Sequence, residues 1–226
     1  MKNLCQSIIS EGRRDIVELL IQKGANVNTK DRGRRSPLYY AIQKGDLDTA
    51  KLLITKNADV NAKDNDGMPL LYLALSTDSN DVAKLLLAKG ADFAWKDKNG
   101  LTALHYAAVN EYQDIAELLL DKGIKVDERD DEYEFTALHY AARFGCKNVA
   151  EVLIANGADI KAKDKWDYQP IHVAAHHDRA NVVELLISKG ADINAKTSLG
   201  QTAIQLAQER RNTKTVELLC KHGAKE

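Results

Sequence analysis

Residues 101–123, LTALHYAAVNEYQDIAELLLDKG, form a phrase that this chain says again and again. Thr102-Ala103-Leu104-His105-Tyr106-Ala107-Ala108 returns as Thr136-Ala137-Leu138-His139-Tyr140-Ala141-Ala142, and in altered form over residues 169–190. The residues that close each phrase are Gly24, Asn57, Gly90, Gly123, Gly157, Gly190 and Gly223, spaced by 33 except for 34 between Gly123 and Gly157. The leucine-type residues that open it keep the same register: Leu38, Leu71, Leu104, Leu138, Ile171 and Ile204. Counting back 19 residues from Gly24 reaches Cys5, which adds a degenerate opening unit and brings the expected total to about seven. A chain built this way stacks similar small units rather than closing one globular core.

Within a unit the pattern predicts two short helices. The second carries aliphatics at adjacent and i+3/i+4 positions, as in Ile115, Leu118 and Leu119, which calls for a broad buried face. Asp48, Asp81 and Asp114 fall in its first turn, where an acid complements the helix dipole. Glycine ends it because glycine adopts positive φ without steric cost, and Asn57 is the next-best residue there. Alanine pairs such as Ala107-Ala108, Ala141-Ala142 and Ala174-Ala175 keep the first helix thin, so that neighbouring units can approach closely. Residues 2–10 are expected to be a more polar first helix, suited to an end unit. After each closing residue runs an extended segment ending in Asp, Asn and Gly, which are turn formers. Two of these segments depart from the pattern. The first has Arg34 where the turn glycine would lie; the fourth, over residues 127–134, carries the one-residue insertion and has no glycine.

The period and the T-P-L-H-x-A-like phrase resemble the ankyrin repeat. The matches are Ser36-Pro37-Leu38, Thr102-Ala103-Leu104-His105 and Pro170-Ile171-His172. The resemblance implies an all-α repeat solenoid, with helix-turn-helix units, β-hairpin fingers and a curved, elongated stack. It implies one domain over residues 1–226, with repeats near 1–30, 31–63, 64–96, 97–129, 130–163, 164–196 and 197–226. It also implies that finger tips and the last turn of each first helix line a concave groove holding another protein. Members of the family are hydroxylated on a finger asparagine, and Asn28, Asn61 and Asn194 match that position.

Composition narrows the functional classes. The formal net charge of −1 gives no global field toward nucleic acid or an anionic membrane. No 18-residue apolar run and no signal-peptide core are present. Cys5, Cys146 and Cys220 sit in separate repeats and cannot easily pair, which points to a reducing compartment, the cytoplasm or the nucleus. Cys5 takes a buried leucine position, whereas Cys146, next to Gly145 in a turn, is expected to be the more exposed.

Catalytic patterns are missing. There is no phosphate-binding G-x-x-x-x-G-K-[ST], no G-x-S-x-G and no paired-carboxylate motif, so an enzyme is not expected, nor a cofactor. His105, His139 and His172 share one repeat position, but stacking separates such positions by about 8–10 Å, too far to share a metal ion. Each ring is expected to hydrogen-bond the neighbouring loop backbone instead. The adjacent His176 and His177 diverge on a helix and do not chelate together.

Function is therefore sought at positions the stack does not use. In the fourth and fifth units these hold Tyr133, Phe135, Phe144, Trp166 and Tyr168, with Glu132, Arg143, His176 and His177; Leu101 belongs to the third set. Only 6% of the chain is Phe, Trp or Tyr, so five aromatics at such positions of two adjacent units are a concentration. Aromatic and arginine side chains dominate interface hot spots. An acidic run over residues 127–134 adjoins them and could steer a basic partner segment, while Arg32, Arg34 and Arg35 make the first finger basic. The expectation is a monomeric scaffold or adaptor that binds another protein. An inhibitor occluding an enzyme or transcription factor, and a substrate for asparaginyl hydroxylation, are the alternatives.

Overall fold

The computed structural model describes residues 14–225. The first-helix reading for residues 2–10 and the burial of Cys5 lie outside the described residues. The chain divides between Trp95 and Lys96 into two compact units.

The first unit contains α1 (Arg14–Gln22), α2 (Pro37–Gln43), α3 (Leu47–Thr55), α4 (Leu70–Ser76) and α5 (Asn80–Ala88). The second contains α6 (Ala103–Val109), α7 (Gln113–Asp121), α8 (Ala137–Phe144), α9 (Lys147–Ala155), α10 (Pro170–His176), α11 (Ala180–Ser188), α12 (Ala203–Glu209) and α13 (Thr213–Lys221). In the second unit α8 packs between α6 and α10, and α10 packs on α12, forming an inner row; α7, α9, α11 and α13 form the outer row behind it. The inner helices of this row are mostly seven residues long and buried on several sides. Ala107, Ala108, Ala141, Ala142, Ala174, Ala175 and Ala207 have no exposed surface. In the first unit α4 packs on α2 in the same way, and α5 on α3.

Every outer helix after α1 is followed by a residue in the left-handed region: Asn57 at φ 63° and Gly90, Gly123, Gly157, Gly190 and Gly223 at 81–93°. A second left-handed residue makes the turn between the two helices of each pair. Here side chains often stand where glycine would be easiest, as at Asp78, Glu111, Asp178 and Arg211. The residue that then begins the outer helix reaches back to the preceding inner helix. The Ser79 hydroxyl donates to Ile42 O (3.0 Å), Arg179 Nε to Arg143 O (3.0 Å) and Asn212 Nδ2 to Ala175 O (2.8 Å). Cys146 occupies this position. It is therefore buried, at 4% exposure, and not the exposed turn thiol that its neighbour Gly145 suggested. Burial pushes its thiol up to about 11, which removes it as a nucleophile at neutral pH.

The histidine positions behave as expected. Thr102 N donates to His105 Nδ1 (3.0 Å), Thr136 N to His139 Nδ1 (3.2 Å) and Gln169 N to His172 Nδ1 (3.0 Å). With Nδ1 accepting, Nε2 carries the proton and donates to the next finger: His105 to Phe135 O (3.1 Å), His139 to Tyr168 O (3.0 Å), His172 to Ala195 O (2.8 Å). Each ring thus caps its own helix and ties the following repeat.

The fingers are tight turns rather than paired strands. Among the described residues the single ladder contact is a bridge between Lys63 and Pro69. A carboxylate replaces the missing ladder. Asp64 Oδ1 accepts from Asp66 N (3.0 Å) and Met68 N (2.9 Å), and Asp97 Oδ1 from Asn99 N (2.8 Å) and Leu101 N (2.9 Å). Within each of the two units neighbouring tips are joined by one backbone bond, Asn65 N to Gly33 O in the first, and Asp131 N to Asn99 O, Lys165 N to Tyr133 O and Ser198 N to Trp166 O in the second.

Leu118 turns out to be half-exposed, because α7 buries Ile115, Ala116 and Leu119 instead. Truncating Leu119 to Ala should cost about 2–5 kcal/mol and Leu118 to Ala distinctly less, measured by guanidinium denaturation. The buried imidazoles set a pH dependence. Burial lowers His105, His139 and His172, His139 to about 4. In the unfolded chain they titrate near 6.5. Their contribution is therefore complete above about 6.5 and lost as pH falls toward 4, because the unfolded chain takes protons first. The denaturation midpoint should be lower at pH 5 than at pH 7.5, and His139→Gln should reduce that difference.

Candidate partner-binding site

Fingers four and five lie side by side in the second unit, and the insertion decides their shape. In the regular fingers the closing bond spans four residues, Asp97 N to Leu101 O and Asp164 N to Tyr168 O. In finger four it spans five, Asp130 N to Phe135 O. Asp130 Oδ1 still organises the turn, accepting from Glu132 N (2.9 Å) and Tyr133 N (2.6 Å), and Glu134 takes the left-handed conformation in place of glycine. Finger five has no glycine either. Asp167 holds φ 63°, a departure as real as the first and fourth fingers show and one the sequence pattern did not flag. Asp164 Oδ1 accepts from Trp166 N (2.8 Å) and Tyr168 N (2.7 Å).

Between these fingers and the last turns of α8 and α10 lies a cavity of about 510 Å³. Burial separates its base from its rim. Phe135, Asp164 and Val173 are 4–7% exposed and form the base; Trp166 at 45% and Leu199 at 79% form the rim. Tyr133 and Tyr168 stand half-buried between them, and Arg143, His176 and His177 border it from the inner helices. Tyr133 lies 5.4 Å from Phe135 and 6.0 Å from Trp166, centroid to centroid. Lys165 Nζ sits over both exposed rings, 5.0 Å from Tyr133 and 4.3 Å from Trp166.

Five expected site aromatics therefore have three different fates. Tyr133, Trp166 and Tyr168 wall the cavity. Phe135 lines it too, but as core: it stacks on His139 at 5.0 Å and meets Tyr140 edge-on. Phe144 is exposed and does not line the cavity; it carries the Arg143 guanidinium at 5.8 Å from its centroid. Arg143, His176 and His177 border the cavity as expected, whereas Glu132 on its finger tip and the half-buried Leu101 do not. Asp164 and Val173 also line the cavity, at positions the sequence did not single out, together with Leu199 from the sixth finger tip. Leu199 was legible as a bare leucine in a finger tip that is elsewhere polar.

The electrostatics are more balanced than the acidic run suggested. Glu128 pairs with Lys96 and with Lys125 (3.3 Å), Glu134 pairs with Arg129 (3.3 Å), and Asp127 accepts from Asp159 N. Most of that acidity is used within the fold. On the inner-helix side His176 and His177 meet edge-to-face at 4.8 Å. Burial, then the neighbouring His176 and the Arg143, Arg179 and Arg210 guanidinium groups, lower His177 to about 4, so it is neutral at pH 7. No group of His, Cys, Asp or Glu able to hold a metal occurs among the described residues.

The finger asparagines face a different task. Asn28 Oδ1 accepts from Asp59 N (2.8 Å), Asn61 Oδ1 from Asp92 N (2.8 Å) and Asn194 Oδ1 from Lys225 N (2.9 Å), each locking the turn of the next repeat. Asp127 does the same for Asp159. No helix among the described residues is long and apolar enough to cross a membrane.

The comparisons with known proteins agree with this architecture. The family profile described as Ankyrin repeats (3 copies) matches residues 4–97, 70–164 and 161–226. The chain is similar to the crystal structure of the human ASB11 ankyrin repeat domain, with TM-score 0.82 and 24% identity over 98% of each chain. No curated protein matches. With matched segments that together run from residue 4 to the last residue, the chain belongs to the ankyrin repeat family.

Proposed function

We propose that this chain is a non-catalytic scaffold or adaptor that binds a partner protein at the aromatic cavity between fingers four and five. Ankyrin repeats are in general protein–protein interaction modules. The observation that carries the placement is the exposure of Trp166 and Leu199 on the rim of a cavity whose base is formed by buried residues. Large apolar side chains left in water beside such a cavity gain from being covered. Arg143 and the neutral His176 and His177 add donors and acceptors around the apolar centre, the arrangement of an interface with an aromatic core and a polar rim. We place this activity in a reducing compartment, consistent with the free thiols of Cys146 and Cys220.

The test is affinity purification from cells, then titration of the recovered partner with Trp166→Ala and Leu199→Asp. Both side chains are on the surface, so the thermal midpoint should stay close to wild type. Hot-spot truncations cost about 2 kcal/mol or more, so each variant should lose about tenfold or more in affinity. Wild-type affinity in both variants would remove the binding site from this cavity.

A further inference from the structure

The finger aspartates carry a second hydrogen bond that one buried member lacks. Tyr40 Oη donates to Asp31 Oδ2 (2.5 Å), Tyr106 Oη to Asp97 Oδ2 (3.0 Å) and Tyr140 Oη to Asp130 Oδ2 (2.9 Å). In each case the tyrosine stands two residues after the repeat leucine. In the fifth repeat that position is Val173, two residues after Ile171. Asp164 is 6% exposed, both of its hydrogen bonds fall on Oδ1, and no donor reaches Oδ2. Finger two also lacks the tyrosine, having Leu73 there, but Asp64 is half-exposed and lines no such cavity. Burial first, and the neighbouring Asp167 carboxylate after it, push the Asp164 carboxyl upward. Asp164 lines the cavity where the missing ring would stand, and an oxygen without a protein donor there is open to a donor from a ligand.

We propose that this cavity receives a tyrosine side chain of the partner protein, its ring among Phe135, Trp166 and Tyr168 and its hydroxyl donating to Asp164 Oδ2. The ligand would supply the phenol that three other repeats carry themselves. A cationic side chain is the competing chemistry, and the charges disfavour it. Lys165 already lies on Trp166 and Tyr133, and Arg143 borders the same cavity, so an ammonium or guanidinium group would meet two like charges. A neutral ring with one donor meets apolar walls and one acceptor.

This inference rests on the placement of partner binding at the same cavity, and its test separates the two. The intact chain is titrated with p-cresol, toluene and tetramethylammonium, with saturable NMR shifts of the Val173 methyls and the Trp166 indole as readout. p-Cresol should bind at least about tenfold more tightly than toluene, because only it can donate to a charged acceptor. Val173→Tyr should fill the cavity with the protein's own phenol, abolishing p-cresol binding while keeping a thermal midpoint at or above wild type. Asp164→Asn keeps an oxygen for Trp166 N and Tyr168 N but replaces Oδ2 by a donor, and should erase the preference for p-cresol over toluene. Equal affinity for p-cresol and toluene, undiminished p-cresol binding by Val173→Tyr, or tighter binding of tetramethylammonium would each overturn the tyrosine assignment. If any of these occurs while Trp166→Ala still loses the partner, the interface stands and the tyrosine falls. If p-cresol behaves as expected but the partner ignores Trp166→Ala, the tyrosine-binding cavity stands and the interface lies elsewhere.

Discussion

In three repeats of the second unit a neutral imidazole couples one repeat to the next, and the position of the following finger depends on it. His139 uses Nδ1 to cap its own helix and Nε2–H to hold Tyr168 O, the carbonyl that closes finger five. Both bonds require the same uncharged tautomer. Burial supplies it by disfavouring the imidazolium. A protonated ring would lose the Nδ1 acceptor and strand the backbone N–H of Thr136 in a dry interior. The order of the helical rows is thereby passed to the fingers. A recognition surface made only of loops would be soft; here it is pinned at its base by buried hydrogen bonds.

The fingers then solve a local problem without strands. An aspartate folds the turn by accepting two backbone N–H groups, and a left-handed residue closes it. Left-handed geometry costs a non-glycine residue about 1–2 kcal/mol. Fingers four and five nevertheless use Glu134 and Asp167 there. Each carboxylate reaches a basic residue at its finger's base, Glu134 to Arg129 at 3.3 Å and Asp167 to Lys163 at 3.2 Å, which a glycine could not do. Exposed pairs of this kind give at most about 1 kcal/mol, so they offset only part of the strain. Left-handed side chains also stand at Arg34, Asp78, Glu111, Asp178 and Arg211, so this strain is a general feature of the turns and not a mark of the cavity.

Most of the fold was legible because stacking repeats its requirements. The spacing of Leu104, Leu138 and Ile171 announced the inner row, and the shared position of His105, His139 and His172 announced its capping. What was lost is what depends on the neighbouring repeat rather than on the local phrase. Cys146 looks like a turn residue, yet its position points back under the preceding helix, as do those of Ser79 and Asn212. Leu118 and Leu119 look equivalent in a run of leucines, and only the rotation of α7 separates them. Phe135 was read as a free surface ring; the five-residue closure of finger four places it against His139 instead. The site aromatics were legible as a concentration. The base of the cavity was not, because its signal is a residue that is absent from a column. Val173 is unremarked in its own unit and informative only beside Tyr40, Tyr106 and Tyr140.

That column bears on why the cavity exists at all. Substituting a phenol for Val173 would fill space, satisfy Asp164 and follow a solution used three times in the same chain. A stack evolving only for stability would gain from it, since an unfilled cavity forfeits the packing that a ring at this position would supply. Local rules of this sort are broken at functional sites, where the deficit is made good by a ligand. In this chain the void, the unpaired Oδ2 of Asp164, the strained Asp167 and the exposed Trp166 occur in one repeat. A packing accident would account for the first two and would leave the indole in water without a reason. The proposed recognition would account for the void, the Asp164 oxygen and the indole together, because the partner of each would come from outside the chain.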